Sequence, residues 1–338
     1  VEPAPARHRR RLARDAYVEG VLRGDRTILS QAITLIESLH ADDIELAQDV
    51  LEQCLPYSGD SIRVGITGVP GAGKSSLIEV LGAYLTGERA EKVAVLAVDP
   101  SSQVSRGSIL GDKTRMETLA NDDRAFIRPS PSGGSLGGVA RRTRETMLLC
   151  EAAGYRNVLV ETVGVGQSET AVRSMVDFFL LLMLAGAGDE LQGMKRGIVE
   201  MTDLIAFNKA DGNNRDKAEA ARREYESALH LFSASGMGWT PRVTTCSARA
   251  REGIAEIWDA VLEHNAWLTS TGQLATYRQQ QAKSWMYELI EQALRDEFRR
   301  HAGVREKLAS YEQEVLAGHL SPFRAARRLI RIYTENPS

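Results

Sequence analysis

Gly68, Gly73, Lys74 and Ser75 stand at the spacing GxxxxGK[ST], inside the run Gly68-Val69-Pro70-Gly71-Ala72-Gly73-Lys74-Ser75-Ser76. Glycines at these places let the backbone curl until successive N–H groups face one point, and a following helix adds the positive end of its dipole. Such a loop is a seat for phosphate. Lys74 would reach the β- and γ-phosphates of a nucleotide, and the Ser75 hydroxyl would ligate Mg²⁺. The flanks agree, since Ile62 to Thr67 reads as an apolar strand and Ser75 to Leu81 as the start of a helix.

Asn208-Lys209-Ala210-Asp211 follows a second strand-like run, Asp203 to Phe207. Ligands of open α/β sheets sit at that end of a strand. A carboxylate at Asp211 can accept two hydrogen bonds from guanine, one from the ring N–H and one from the exocyclic amine. Adenine offers no such pair and would leave the carboxylate unpaired, a costly mismatch. Lys209 would lie along the base, and Asn208 would tie this loop to the phosphate loop. Further on, Val243 to Cys246 reads as a short strand ending in Ser247-Ala248-Arg249, the place and composition of a loop that closes over guanine. Three motifs in this order select GTP over ATP.

Between them should lie the groups that act on the γ-phosphate. The buried-strand pattern Val93 to Val98 ends in Asp99, and Asp112 lies in a Gly-rich, charged stretch from Arg106 to Arg115; both are candidate Mg²⁺ ligands. Another strand pattern, Val158 to Val163, carries Glu161 three residues before Gly164, the spacing of a Walker-B acid and a phosphate-sensing loop. Glu161 stands where Asp is commoner, and its longer side chain suggests contact through a metal-bound water. Val165 occupies the place where Ras-like enzymes carry the Gln that orients the attacking water, and Gln167 is displaced from it. Slow hydrolysis by the isolated protein is the expectation.

The elements that must position these residues alternate strand and helix from about 61 to 270, the signature of a mostly parallel sheet covered by helices, here an α/β P-loop NTPase fold. Residues 1–60 form an N-terminal helical extension. Ile28, Leu29, Ala32, Ile36 and Leu39 share one helix face, and Ile44, Ala47, Val50, Leu51 and Cys54 a second, with Asp42 as its N-cap and Pro56 as its stop. After Gly272 the strand pattern ends. Residues 271–338 read as helical, the expected dimerisation arm: one long helix, then one after Gly303, then one that Ser321 caps and Pro322 opens.

Composition narrows the class. The chain has 338 residues, 43% hydrophobic and 26% charged, with a formal net charge of -3, which argues against a nucleic-acid binder. Three widely spaced cysteines and six scattered histidines give neither a disulfide framework nor metal-ligand spacing. The longest apolar run, Phe178 to Ala185, is far too short to span a bilayer and reads as a central strand. No membrane association is expected. The Arg-rich start, from Val1 rather than Met, reads as a processed segment or a solvated arm leading into a helix.

Specific strings add a resemblance. GVPGAGKSS (68–76), VDPSS (98–102), RGSILGDKTRM (106–116), ETVGVGQSE (161–169), AGAGDELQGMKRGI (185–198), FNKAD (207–211), SAR (247–249) and HLSPFRAA (319–326) resemble the MeaB/ArgK GTPases that include the human MMAA protein. The resemblance implies a homodimeric P-loop GTPase that binds GTP/GDP and Mg²⁺. It also implies a chaperone of an adenosylcobalamin-dependent acyl-CoA mutase, methylmalonyl-CoA mutase above all, gating cofactor loading and protecting the mutase. The location implied is cytoplasmic, or the mitochondrial matrix in a eukaryote. The stretch matching 185–197 would be a third switch loop that couples nucleotide to partner. Lys195 in that loop joins Lys74 and Glu161 as the candidate catalytic residues.

Three other readings compete. A kinase or ATPase serving amino-acid transport conflicts with the guanine motif. A metallocentre-assembly GTPase would usually carry a His-rich tract or paired cysteines, which this chain lacks. A non-catalytic nucleotide-dependent interaction module would differ only in never accelerating hydrolysis.

Overall fold

A computed structural model describes residues 11–98, 116–129, 136–162, 168–186, 196–229 and 238–335. The chain forms two compact units, the first ending at Leu274 and the second starting at Ala275.

The first unit is built on a seven-stranded sheet with β1 at Ile62–Gly68, β2 at Val93–Val98, β3 at Ala125–Arg128, β4 at Asn157–Thr162, β5 at Phe178–Leu184, β6 at Leu204–Asn208 and β7 at Arg242–Thr245. The order across the sheet is β3-β2-β4-β1-β5-β6-β7, and every pairing is parallel. Parallel neighbours need crossovers, so helices cover both faces and the strands read as continuous apolar runs. β1 is central. The chain leaves it for β2 on one side and later crosses to β5 on the other, and that reversal opens a crevice at the C-terminal edge.

Side chains alternate between the two faces. On one, Val64, Ile66, Leu159, Leu180 and Leu182 pack with Leu77, Leu81, Ile257 and Trp258, from the helices Lys74–Gly87 and Ile254–Ser270. On the other, Val158, Val160, Leu96 and Phe179 meet Val139 and Leu149 of the helix Leu136–Ala152. Leu29, Ile33, Val50 and Leu51 of the N-terminal helices join that same cluster. The strip around Leu181, Met183, Ile205 and Phe207 is covered by the helix Arg215–Leu229. Gly65 faces Phe179 so closely that a Cβ there would stand 2.7 Å from its ring. No larger residue fits beneath that aromatic.

The N-terminal helices run Arg14–Leu22, Arg26–Ile36 and Ala41–Cys54. Asp25 caps the second by accepting from the backbone N–H groups of Thr27 and Ile28. The expected cap Asp42 is not one: the third helix starts at Ala41 with His40 at the cap position and no side-chain cap bond. Asp42 sits in the first turn, where the helix dipole still favours its charge. Leu39, placed by its spacing on the buried face, is 83% exposed because the helix ends at Ile36 before reaching it. Pro56 falls in a short 3₁₀ turn, Leu55–Tyr57, that closes the segment. β3 had no separate sequence signal; its four residues are too few to show alternation, and no functional motif marks its end.

The second unit holds the 28-residue helix Gln273–Arg300 from Ala275 onward, followed by the pair Ala302–Leu316 and Pro322–Glu335. Tyr333 meets Phe298 and His301 edge-on, and Val304, Ala325 and Leu329 are buried. The Ser321 hydroxyl accepts from the Arg324 N–H and Pro322 occupies the first turn. Among the described residues no helix is long and apolar enough to cross a membrane.

Candidate functional site

The phosphate loop leaves β1 at Gly68 and enters the helix Lys74–Gly87. Gly73 is the residue that the loop cannot exchange. Its φ is +92°, and a Cβ there would lie 2.6 Å from the Asn208 amide nitrogen. Gly68 is equally constrained, since a Cβ would stand 2.2 Å from the Leu182 carbonyl oxygen. Val69, Pro70, Gly71 and Ala72 span the turn between them, with the Ala72 N–H donating to the Val69 carbonyl at 3.1 Å. Lys74 is buried and folds back over this turn, its Nζ 2.7 Å from the Gly68 carbonyl oxygen and 3.3 Å from that of Val69. Burial lowers the Lys74 pKa, and the charges of Glu161 and Glu169 oppose that shift.

Beside it, at the end of β4, Glu161 Oε1 accepts from the Ser75 hydroxyl at 2.8 Å. The next residue, Thr162, donates from Oγ1 to Thr67 Oγ1 at 2.9 Å, a buried bond that locks β4 to β1 directly under the loop. Hydroxyl and carboxylate side by side are hard oxygen donors, the chemistry Mg²⁺ takes. The other expected ligands, Asp99 and Asp112, and the expected catalytic Lys195 lie outside the described residues.

A cleft of about 480 Å³ opens next to the loop, lined by Gly73, Ser76, Lys209, Asp211, Ala248 and Arg249 among others. Asn208 is its keystone. Its amide donates to the Ala72 carbonyl oxygen at 2.8 Å, and its Oδ1 accepts from the Ala248 N–H at 3.2 Å and the Cys246 thiol at 3.7 Å. One side chain therefore joins the phosphate loop, the end of β6 and the loop after β7. Burial pushes the Cys246 thiol up to about 12, so it stays a donor. Asp211 is held from one side only, by the Ser247 hydroxyl at 2.9 Å on Oδ1. Lys209 adopts φ +60°, and its carbonyl accepts from the Asn214 amide at 2.8 Å.

The folded chain thus brings together four segments that are far apart in sequence. Gly68 to Ser76, Glu161, Asn208 to Asp211 and Ser247 to Arg249 all stand at the C-terminal edge of the sheet. Two features had escaped the sequence reading. Asn214 lines the cleft, and nothing in its local pattern marks it. Glu169 is 2% exposed and electrostatically coupled to Lys74. Its signal was present inside the string ETVGVGQSE, without an assigned role.

Phosphate loop, switch-point crevice and NKxD cleft on one parallel sheet define a P-loop protein that binds guanine nucleotides. The chain belongs to the MeaB family, described as methylmalonyl Co-A mutase-associated GTPase MeaB, whose pattern matches residues 29–302. It is 47% identical over 329 residues to a methylmalonic aciduria type A homolog, mitochondrial, of Mus musculus, covering 94% of this chain and 79% of that protein. It is 49% identical over 310 residues to GTPase ArgK of Escherichia coli strain K12, covering 90% and 92%. A crystal structure described as LAO/AO transport system kinase superposes with a TM-score of 0.76 at 40% identity, covering 95% of this chain and 97% of that one. Like the GTPases of its family, the protein is a GTP hydrolase.

Proposed function

We propose that the protein is a Mg²⁺-dependent GTPase that serves as chaperone to an adenosylcobalamin-dependent acyl-CoA mutase of the methylmalonyl-CoA type. In this reading it gates cofactor loading and protects the mutase. The observation that carries it is the match of residues 29–302 to a family described as associated with that mutase. The geometry is in keeping with it, since phosphate loop, Walker-B acid and base cleft share one sheet edge.

The loop amides from Gly68 to Ser76 and the Lys74 ammonium would hold the β- and γ-phosphates and offset charge as the β–γ bond breaks. Lys74 would exchange its two carbonyl partners for phosphate oxygens. Ser75 and Glu161 would hold the metal, with Asp99 and Asp112 as further ligands. Mg²⁺, when bound, supplies positive charge at the β- and γ-oxygens. Asp211 would accept from the guanine N–H and amine on its free side, while Ser247 fixes the other. Lys209, Ala248 and Arg249 would wall the base. The loop 185–197, with Lys195, would couple the nucleotide state to the partner, and residues 271–338 would pair two copies into a homodimer. Three regions follow, 1–60, 61–270 and 271–338.

The test is GTP hydrolysis by the purified protein, alone and with the host's mutase. A slow basal rate that rises severalfold is the expected outcome. Absence of any rise under conditions where both proteins are active removes the mutase from the reading and leaves the GTPase. The relative described as a transport system kinase supports a second reading, phosphorylation coupled to amino-acid uptake. It requires ATP to be used at least as well as GTP, so competition between the two nucleotides decides it.

A further inference from the structure

We propose that Glu169 is a catalytic residue of GTP hydrolysis, its free carboxylate oxygen accepting the hydrogen bond that aligns the attacking water. The inference rests on the GTPase activity and adds a residue to it. Val165 follows Gly164 where Ras-like enzymes place the water-orienting Gln, so the acceptor has to come from elsewhere in the chain.

Glu169 is well placed to be that acceptor. It lies in the first turn of the helix Ser168–Arg173, eight residues after Glu161, and this helix packs against β1 and β4. Its side chain is almost completely buried, yet among the described residues Oε2 has no hydrogen-bond partner, and the neighbouring Ser168 hydroxyl is also buried without one. A buried carboxylate oxygen left unpaired carries its full desolvation cost, so such atoms call for a partner in the working state.

The obvious partner inside the protein is Lys74, whose charge Glu169 supports. Lys74, however, spends its hydrogen bonds on the carbonyls of Gly68 and Val69. Glu161 is engaged by Ser75. Glu169 therefore supplies an unused acceptor within electrostatic range of the ammonium that meets the γ-phosphate.

In the reaction the water oxygen forms a bond to the γ-phosphorus while the bond from that phosphorus to the bridging oxygen breaks. The electron pair stays on the β-phosphate of GDP. Both water protons end on the phosphate product, which ionises in solution. Glu169 receives a hydrogen bond from the water throughout and keeps no proton. Alignment of this kind contributes through positioning rather than through basicity.

The decisive experiment compares Glu169→Gln and Glu169→Asp with wild type, in single-turnover GTP hydrolysis and in binding of a fluorescent GDP analogue. Gln keeps an acceptor oxygen at the same reach and loses the charge. Asp keeps the charge and withdraws the oxygen by one methylene. A water-aligning role predicts that Gln holds its rate within about fivefold while Asp falls by about a hundredfold, both binding GDP within about twofold of wild type. A counter-ion role predicts the reverse order, with Gln weakened in GDP binding and Asp near normal, and that result overturns the proposal. Wild-type rates in both variants overturn it as well. A wild-type protein that binds GTP and never hydrolyses it would instead overturn the activity on which the inference stands.

Discussion

At the N-terminal edge of the sheet, Glu151 accepts from Arg63 Nε at 2.6 Å and Nη2 at 2.9 Å, from the Gly59 N–H at 2.8 Å and from the Ser61 hydroxyl. Nearby, Arg173 pairs with Asp203 at 3.1 Å, and Asp177 and Asp203 accept from the backbone N–H groups of Arg63 and Phe179. At the C-terminal edge Lys74 rests on carbonyls, Glu169 keeps Oε2 without a partner among the described residues, and Asp211 is held from one side only. Both edges bury charge at strand ends. One spends its carboxylates on neighbouring guanidinium and backbone N–H groups and fixes the strands. The other keeps capacity in reserve for a ligand, at a cost in stability that the first edge helps to offset.

If that contrast is right, substitutions at one edge change binding and those at the other change stability. The largest expected effect is from Lys74→Ala. Triphosphate affinity should fall about a thousandfold, roughly 4 kcal/mol, with the urea midpoint of the nucleotide-free protein little changed. Fluorescent GTP titration checks it, and wild-type affinity would remove the loop from the site. Next comes Glu151→Ala, which leaves the Arg63 guanidinium buried and unpaired. Urea unfolding should show a loss of about 3 kcal/mol, while GDP affinity of the folded fraction stays as in wild type. Parallel loss of both would dissolve the division between the edges.

The smallest effect sharpens the comparison through pH. Burial pushes the Asp203 carboxyl up to about 6, against the pull of Arg173, and lowers His264 to about 4. At neutral pH the two are therefore an ionised acid and a neutral imidazole 3.7 Å apart, rather than an ion pair. Protonated Asp203 favours the fold at low pH, and that contribution is lost as pH rises through about 6. Neutral His264 favours the fold above its unfolded pKa, and that contribution is lost as pH falls through about 4. Between about 4 and 6 the two slopes oppose each other. His264→Phe removes one, so its melting temperature should fall as pH rises across that window, while wild type stays flatter. Thermal melts at pH 4.5, 5.5 and 6.5 read the difference, and a flat variant would mean that Asp203 is not shifted.

Much of the sheet was legible because each parallel strand is a short apolar run ended by a polar motif. Ile62 to Thr67, Val93 to Val98 and Phe178 to Ala185 all appear as β1, β2 and β5 within one residue at either end. β3 was not, since its four residues carry no period and no recognised motif follows them, as Ser247-Ala248-Arg249 follows the equally short β7. Asp42 was misread as a cap because composition alone does not say which of His40, Ala41 and Asp42 starts the turn.

The amino-acid sequence by itself determined the chemistry on offer. The phosphate loop, NKAD and SAR are local strings whose residue types dictate phosphate and guanine recognition wherever the chain puts them. Strand order, and hence the meeting of those strings at one edge, was settled by the tertiary structure, because β1 lies between β4 and β5 through pairings such as Ile62 with Asn157 and Val64 with Phe178, far apart in the chain. The tie from Asn208 to the phosphate loop was expected from the motif, but only folding could decide that it would also take the Ala248 N–H, that Glu151 would be spent on Arg63, and that a Glu169 oxygen would stay free. Hydrogen-bond accounting depends on who is buried next to whom, and no linear pattern records that.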